Sequence, residues 1–134
     1  MKRAEAPRET HLLFVYGTLM EAYPNHARCL TPVLVRKIGR GRTLDKFAMT
    51  VPSFPIVLLE PKIYPIHGEL YEVHSLELTD RLEGHPRWYQ RVRKPVEVDG
   101  KTYIAWIYTQ AKTDGLIFKC GDWRESEWAR EYAR

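Results

Sequence analysis

Two short segments of this chain combine residue types that can bind a small anion and move a proton. The first is Val15-Tyr16-Gly17-Thr18-Leu19, an apolar stretch that runs straight into a glycine turn. Glycine lets backbone approach a ligand closely, and successive turn N–H groups form an anion-binding concavity. The Thr18 hydroxyl can add a hydrogen bond. The second is Leu82-Glu83-Gly84-His85-Pro86-Arg87-Trp88-Tyr89-Gln90-Arg91, where Glu83 falls at the predicted end of a short helix. A carboxylate there faces the negative end of the helix dipole, which favours its neutral form, and partial burial pushes the same way. Both effects raise its pKa toward working pH, where a proton shuttle is most effective. Arg81, Arg87 and Arg91 would oppose this if they point at Glu83. Read locally, each segment also has a plainer meaning: a strand-ending turn and a solvated helix-end acid.

The elements that must position these residues can be read from pattern. His11 to Tyr16 is an apolar run closed by Gly17, which predicts a buried strand. Met20 to Leu30, with Pro24 and Asn25 inside it, predicts a turn followed by a short helix. Val33 to Leu44 predicts a strand in which Gly39 and Gly41 mark a bulge or a barrel corner. Val51 to Pro65 carries Pro52, Pro55, Pro61 and Pro65 and predicts loop and edge structure, with a short strand at Ile56 to Leu59. Ile66 to Val73 predicts a strand that bends at Gly68. Ser75 is placed to cap a helix running to Glu83, with Leu78 and Leu82 on its buried face. Gly84 suits the left-handed residue after that helix, and Pro86 prevents continuation. Tyr89 to Val98 and Lys101 to Thr109 predict a hairpin through Asp99-Gly100. Asp122, with Glu125 three residues on, predicts a capped C-terminal helix whose apolar face carries Trp123, Trp128 and Tyr132. Some six strands with few helices predict an α+β domain on a curved or closed antiparallel-rich sheet.

Composition narrows the possibilities. The chain has 134 residues, of which 44% are hydrophobic, enough for one domain with a real core. The charged segment from Met1 to Thr10 has no apolar core of a secretory signal and is expected to be a flexible arm, leaving 11–134 as a single domain. No apolar run is long enough to span a bilayer, so no membrane partner is expected. The formal net charge of +4 comes from scattered basic residues, which reads as solvated surface and not as a nucleic-acid footprint. Cys29 and Cys120 are expected to be reduced thiols of a cytoplasmic protein. His11, His26, His67, His74 and His85 form no metal-ligand pattern, so neither metal nor other cofactor is expected. Gly39-Arg40-Gly41-Arg42 is too short and strand-like to cradle a nucleotide. Glu69, Glu72 and Asp80 read as surface or ladder charges, and Trp106, Tyr108, Trp123 and Trp128 as core.

The Tyr16-Gly17-Thr18-Leu19 loop, the Pro24-Asn25-His26 element that follows it and the Glu83 segment, in this order, resemble the γ-glutamylcyclotransferase (AIG2-like) family over about residues 12 to 110. The branch they look most like is that of the γ-glutamylamine cyclotransferases. The resemblance implies a small mixed β-barrel of about six strands flanked by short helices. It implies that Glu83 is the catalytic acid/base and that Tyr16, Gly17, Thr18 and Leu19 bind a small-molecule γ-glutamyl substrate. Tyr89 and Arg91 also match the pattern after the Glu, either as supports or as pocket walls. The reaction implied is attack of the substrate's α-amino group on its own side-chain carbonyl, giving 5-oxoproline and a free amine. Two alternatives stay open: a cyclotransferase for γ-glutamyl amino acids or glutathione, and a non-catalytic module on the same fold that holds an anionic ligand or partner. Retention of Glu83 argues against the second, since an inactive relative need not keep it.

Overall fold

A computed structural model describes residues 9–50, 56–110 and 121–125 of the chain. Five strands close into a barrel in the order β1-β5-β2-β6-β7, where β1 is His11–Val15, β2 Leu34–Thr43, β5 His67–Val73, β6 Gln90–Val98 and β7 Lys101–Thr109. All neighbours are antiparallel except β1 and β7, which meet in parallel at Leu13 and Trp106 and shut the barrel. The barrel therefore has no free edge to template association. Two further strands, β3 (Ala48–Thr50) and β4 (Ile56–Leu58), form a separate antiparallel pair. The mixed barrel is as expected, but it closes with five strands in place of about six; β3 and β4 stand apart from it, and β3 is the strand that pattern missed among the described residues.

Local sequence explains the main devices. Asp99 and Gly100 both take positive φ, at 49° and 79°, and turn β6 into β7 with Val98 opposite Lys101. On β2 the register slips between Leu34 and Arg36 and again between Lys37 and Gly39, so the glycine-bearing strand is bulged. Gly41 lies opposite Gly68 of β5. A Cβ on Gly41 would sit 2.1 Å from the Glu97 carbonyl oxygen, and one on Gly68 would sit 2.2 Å from that of Val15. Close passage of neighbouring backbone is thus the reason for glycine at both positions. The core holds Leu13, Phe14, Leu70, Tyr71 and Ile107 from the barrel strands, with Met20, Leu30, Phe47, Met49 and Trp123 packed in the same cluster.

Between β1 and β2 the chain makes consecutive turns, in which Met20 N–H donates to Gly17, Tyr23 to Met20 and His26 to Tyr23. It then forms a π-helical turn, His26–Leu30, and a short 3₁₀ turn, Thr31–Val33. The single α-helix among the described residues, α1, spans Glu77–Glu83 and ends on Gly84 at φ 66°, ψ 34°. Two details of α1 depart from the sequence reading. Leu76 occupies the N-cap position, although the Ser75 hydroxyl does accept the Glu77 N–H. The buried face is carried by Thr79, which is fully buried, and by Leu78, whereas Leu82 is 41% exposed. A helix of under two turns buries only a narrow stripe, and here that stripe is set by Thr79 meeting Tyr108. Near the C-terminus, Asp122 caps a 3₁₀ turn at Trp123–Glu125 by accepting the Arg124 N–H. Trp128, Tyr132 and Cys120 lie outside the described residues.

The Gly41 contact gives a test of barrel closure. Gly41→Ala should destabilise the protein by about 1–3 kcal/mol or more, because the methyl group meets backbone that cannot rotate away. Urea denaturation would measure the loss; a change within experimental error would mean that β2 and β6 do not pass as closely as described.

Candidate active site

A cavity of about 460 Å³ opens at the end of β1 and is lined by Tyr16, Gly17, Thr18, Leu19, Glu83 and Tyr108, together with Phe14, Val15, Asn25, Leu82, Gly84, Trp88 and Tyr89. All five residues singled out from the sequence therefore face one space. β1 delivers the loop and the C-terminus of α1 delivers Glu83.

The loop is braced by the segment that follows it. The Asn25 amide donates to the Thr18 hydroxyl oxygen at 2.9 Å, and His26 Nδ1 donates to the Leu19 carbonyl at 2.9 Å. The Pro24-Asn25-His26 element is thus a brace for the glycine turn seven residues before it. Glu69 fixes the next residue along: its Oε1 accepts the Glu21 N–H at 2.8 Å and the Tyr71 hydroxyl at 2.7 Å. Glu69 is only 3% exposed, so it is not a surface charge; it lies in the ladder between Val15 and Arg40. Tyr16 points its hydroxyl away into the structure, donating to the Tyr108 carbonyl at 2.7 Å and accepting from Val57 N–H at 3.3 Å. Among the described residues, the N–H groups of Gly17, Thr18 and Leu19 have no acceptor. Gly17 does not adopt positive φ, so its backbone conformation does not itself require glycine.

Glu83 is the group that titrates here. Burial raises its carboxyl pKa from the ordinary 4.5 to about 7. Desolvation is the cause, and the helix dipole expected from sequence acts in the same direction. The arginines that might have opposed it are engaged elsewhere or exposed. Arg91 forms a forked bond to Asp80, Nε to Oδ1 at 2.8 Å and Nη2 to Oδ2 at 3.2 Å, and Arg81 pairs with Glu77 at 3.2 Å. Arg87 is exposed. The phenols around Glu83 remain neutral: burial pushes Tyr16, Tyr89 and Tyr108 upward, and the nearby Glu83 charge adds to each. Of the residues left undecided by sequence, Tyr89 and Tyr108 line the cavity and Arg91 is a support. Asp80, read from sequence as a surface charge, accepts from Arg91 and from the Tyr108 hydroxyl at 2.6 Å. Burial disfavours its ionisation, but these hydrogen bonds outweigh that and hold its pKa low. Its position three residues before Glu83 on one helix was the available signal. Among the described residues no three His, Cys, Asp or Glu side chains converge on a metal site, and no helix is long and apolar enough to cross a membrane.

The arrangement is a closed mixed barrel carrying, at its rim, a loop whose N–H groups have no acceptor among the described residues and a carboxyl whose pKa burial raises to about 7. The model of the family described as gamma-glutamyl cyclotransferase, AIG2-like, matches residues 13–125, and the chain belongs to that family. A Methanocaldococcus jannaschii protein provisionally named a gamma-glutamylcyclotransferase is 38% identical over 116 residues, covering 84% of this chain and 95% of its own. A mouse gamma-glutamylaminecyclotransferase is 33% identical over 115 residues, covering 74% of this chain and 77% of its own. The crystal structure of a mouse AIG2-like protein superposes with a TM-score of 0.75 at 28% identity, over 90% of this chain and 92% of that one.

The raised pKa has a consequence for stability that needs no substrate. Between pH 4.5 and about 7 the folded protein keeps a proton on Glu83 that the unfolded chain releases. Stability from this group is therefore full below the unfolded value and is lost as pH rises through the folded one. Glu83→Gln should remove that loss and be more stable than the parent at pH 8 by up to about 3 kcal/mol, with little difference at pH 4. Urea denaturation at the two pH values checks this; a parallel loss in both proteins would mean that Glu83 ionises like a free acid.

Proposed function

We propose that the chain cleaves a γ-glutamyl amide, of the γ-glutamylamine type, to 5-oxoproline and a free amine. The observation that carries this reading is the shared cavity of Glu83 and the 16–19 loop. In the reaction the substrate's α-amino nitrogen attacks its own γ-carbonyl carbon, the ring C–N bond forms and the amide C–N bond breaks. Glu83 takes a proton from the α-ammonium and returns one to the departing nitrogen. The unpaired N–H groups of Gly17, Thr18 and Leu19 supply donors for the oxygens of the glutamyl unit. Thr18 already accepts from Asn25, which leaves its own O–H proton for the ligand. No nucleophile, metal or nucleotide is required from the protein. The γ-glutamylamine branch is supported by the Tyr16-to-Leu19 and Asn25-His26 pairing and by the mouse relative's name.

Incubation with a panel of γ-glutamyl amines should release 5-oxoproline, and Glu83→Gln should lower kcat by about 10²- to 10⁴-fold while folding normally. In the parent, kcat should rise with pH through an essential group near 7, as Glu83 becomes able to accept the ammonium proton. Near-parental turnover in Glu83→Gln would remove Glu83 from the chemistry, and silence across the whole panel would favour a binding module.

The loop gives a second test. Gly17→Val puts a β-branched side chain where ligand and backbone should nearly touch, and 5-oxoproline binding should be strongly weakened. Thr18→Ala loses one hydroxyl and its bond to Asn25, so its cost should be about 1 kcal/mol. Calorimetric titration of both variants ranks them; if Thr18→Ala abolishes binding while Gly17→Val binds normally, the loop is not a backbone cradle.

A further inference from the structure

Leu82 and Trp88 are large apolar side chains left in solvent, 41% and 64% exposed, yet both belong to the cavity wall that contains Glu83. They flank Glu83 along the chain and in space. Leu82 precedes it on α1. Trp88 is folded back over the helix end, with its N–H bonded to the Gly84 carbonyl at 2.8 Å and its Cβ 3.1 Å from where a Cβ on Gly84 would lie. The nearest indole atoms would lie 3.7 and 4.0 Å from that position, so the ring packs against the glycine that ends the helix. This lip is not needed to hold a glutamyl unit at the 16–19 loop, and it does not close the core.

A group that returns a proton to the leaving nitrogen must lie within hydrogen-bond reach of it. Whatever is attached to that nitrogen therefore starts beside Glu83, where the exposed surface is Leu82 and Trp88. Resting on the functional reading above, we propose that Leu82 and Trp88 form the leaving-group subsite and that the enzyme prefers γ-glutamyl derivatives of apolar primary amines, alkyl or aryl. Burial of each additional methylene against this lip should raise kcat/KM by up to about fourfold, as expected for removing a CH₂ from water. An aromatic face can also attract a cation, so an amine with a second positive charge is the alternative to be distinguished.

The test uses the purified full chain with three synthetic substrates: γ-glutamylmethylamide, γ-glutamyl-n-pentylamide and the near-isosteric γ-glutamyl-1,4-diaminobutane, with 5-oxoproline release as the readout. The pentylamide should exceed the methylamide by at least tenfold in kcat/KM, mostly through KM, and should exceed the diamine derivative. Trp88→Ala should bring the pentyl-to-methyl ratio close to one, and Trp88→Phe should restore much of it. Circular dichroism confirms folding of both variants. Cleavage of the methylamide with no gain from the longer chain would overturn the subsite while leaving the cyclotransferase reading intact. A diamine derivative equal to or better than the pentylamide would overturn the apolar preference, and an unchanged ratio in Trp88→Ala would remove Trp88 from it. Failure to cleave any of the three would count against the underlying reaction.

Discussion

The fork between Asp80 and Arg91 is the interaction on which the site depends. It joins α1 to β6, and the Tyr108 hydroxyl on the same carboxylate extends the tie to β7. Thr79 adds a bond to that hydroxyl at 2.8 Å. A helix of seven residues has little intrinsic stability and needs such tertiary anchors to hold its last turn in place. The same fork decides the electrostatics. Arg91 on β6 spends its charge on Asp80, and its guanidinium lies over Trp106 at 4.4 Å. Glu83, three residues further along the helix, is left to be desolvated without compensation. Two carboxylates on one short helix thus diverge, one held low by a forked partner and the other pushed up by burial.

The loop obeys a complementary logic. Buried backbone donors are normally satisfied, and leaving them unmet costs stability. Here the side chains around the turn satisfy its surroundings and leave its N–H groups alone. Asn25 and His26 bind the Thr18 hydroxyl and the Leu19 carbonyl, and Glu69 takes the Glu21 N–H from beneath. Tyr16 fastens β1 to β4 and β7 through its hydroxyl. The Gly17 and Leu19 carbonyls and the Thr18 hydroxyl oxygen are engaged, while among the described residues the N–H groups of 17–19 are not, a polarity that suits an anionic ligand.

Much of this was legible because it is local. Asp99-Gly100 names its turn, Gly84 its left-handed helix end, and the apolar run before Gly17 its strand. Residues 16–19 and 83 also sit at strand and helix ends beside a glycine, but local pattern alone reads them as a turn and a helix-end acid; the resemblance to the family is what singled them out. What pattern could not show is pairing at long range. Closure rests on the parallel contact of Leu13 with Trp106, more than ninety residues apart. Glu69 and Asp80 look like surface acids until Tyr71, Glu21, Arg91 and Tyr108 are brought to them by the barrel. The buried face of α1 was misread for the same reason: Leu82 is the more hydrophobic residue, but the tie to Tyr108 turns Thr79 inward and leaves Leu82 at the cavity mouth.

The chemistry open to such a cavity follows from what its side chains are already doing. The Tyr16 hydroxyl is bound on both sides, and that of Tyr108 lies between Asp80 and Thr79. Burial keeps the phenols protonated and pushes the Cys29 thiol up as well, and Cys29 is not among the described lining residues. Thr18 has no adjacent base other than Glu83 within the same wall. A site of this kind has a group that exchanges protons near neutrality and donors that await oxygens, but no activated nucleophile of its own. It suits a substrate that brings its nucleophile with it, and a γ-glutamyl unit with a free α-amino group does so in the geometry of a five-membered ring. On the reaction proposed above, the protein's work reduces to holding the substrate folded on itself and moving one proton from one nitrogen to the other, a task that suits a carboxyl raised by burial to about 7.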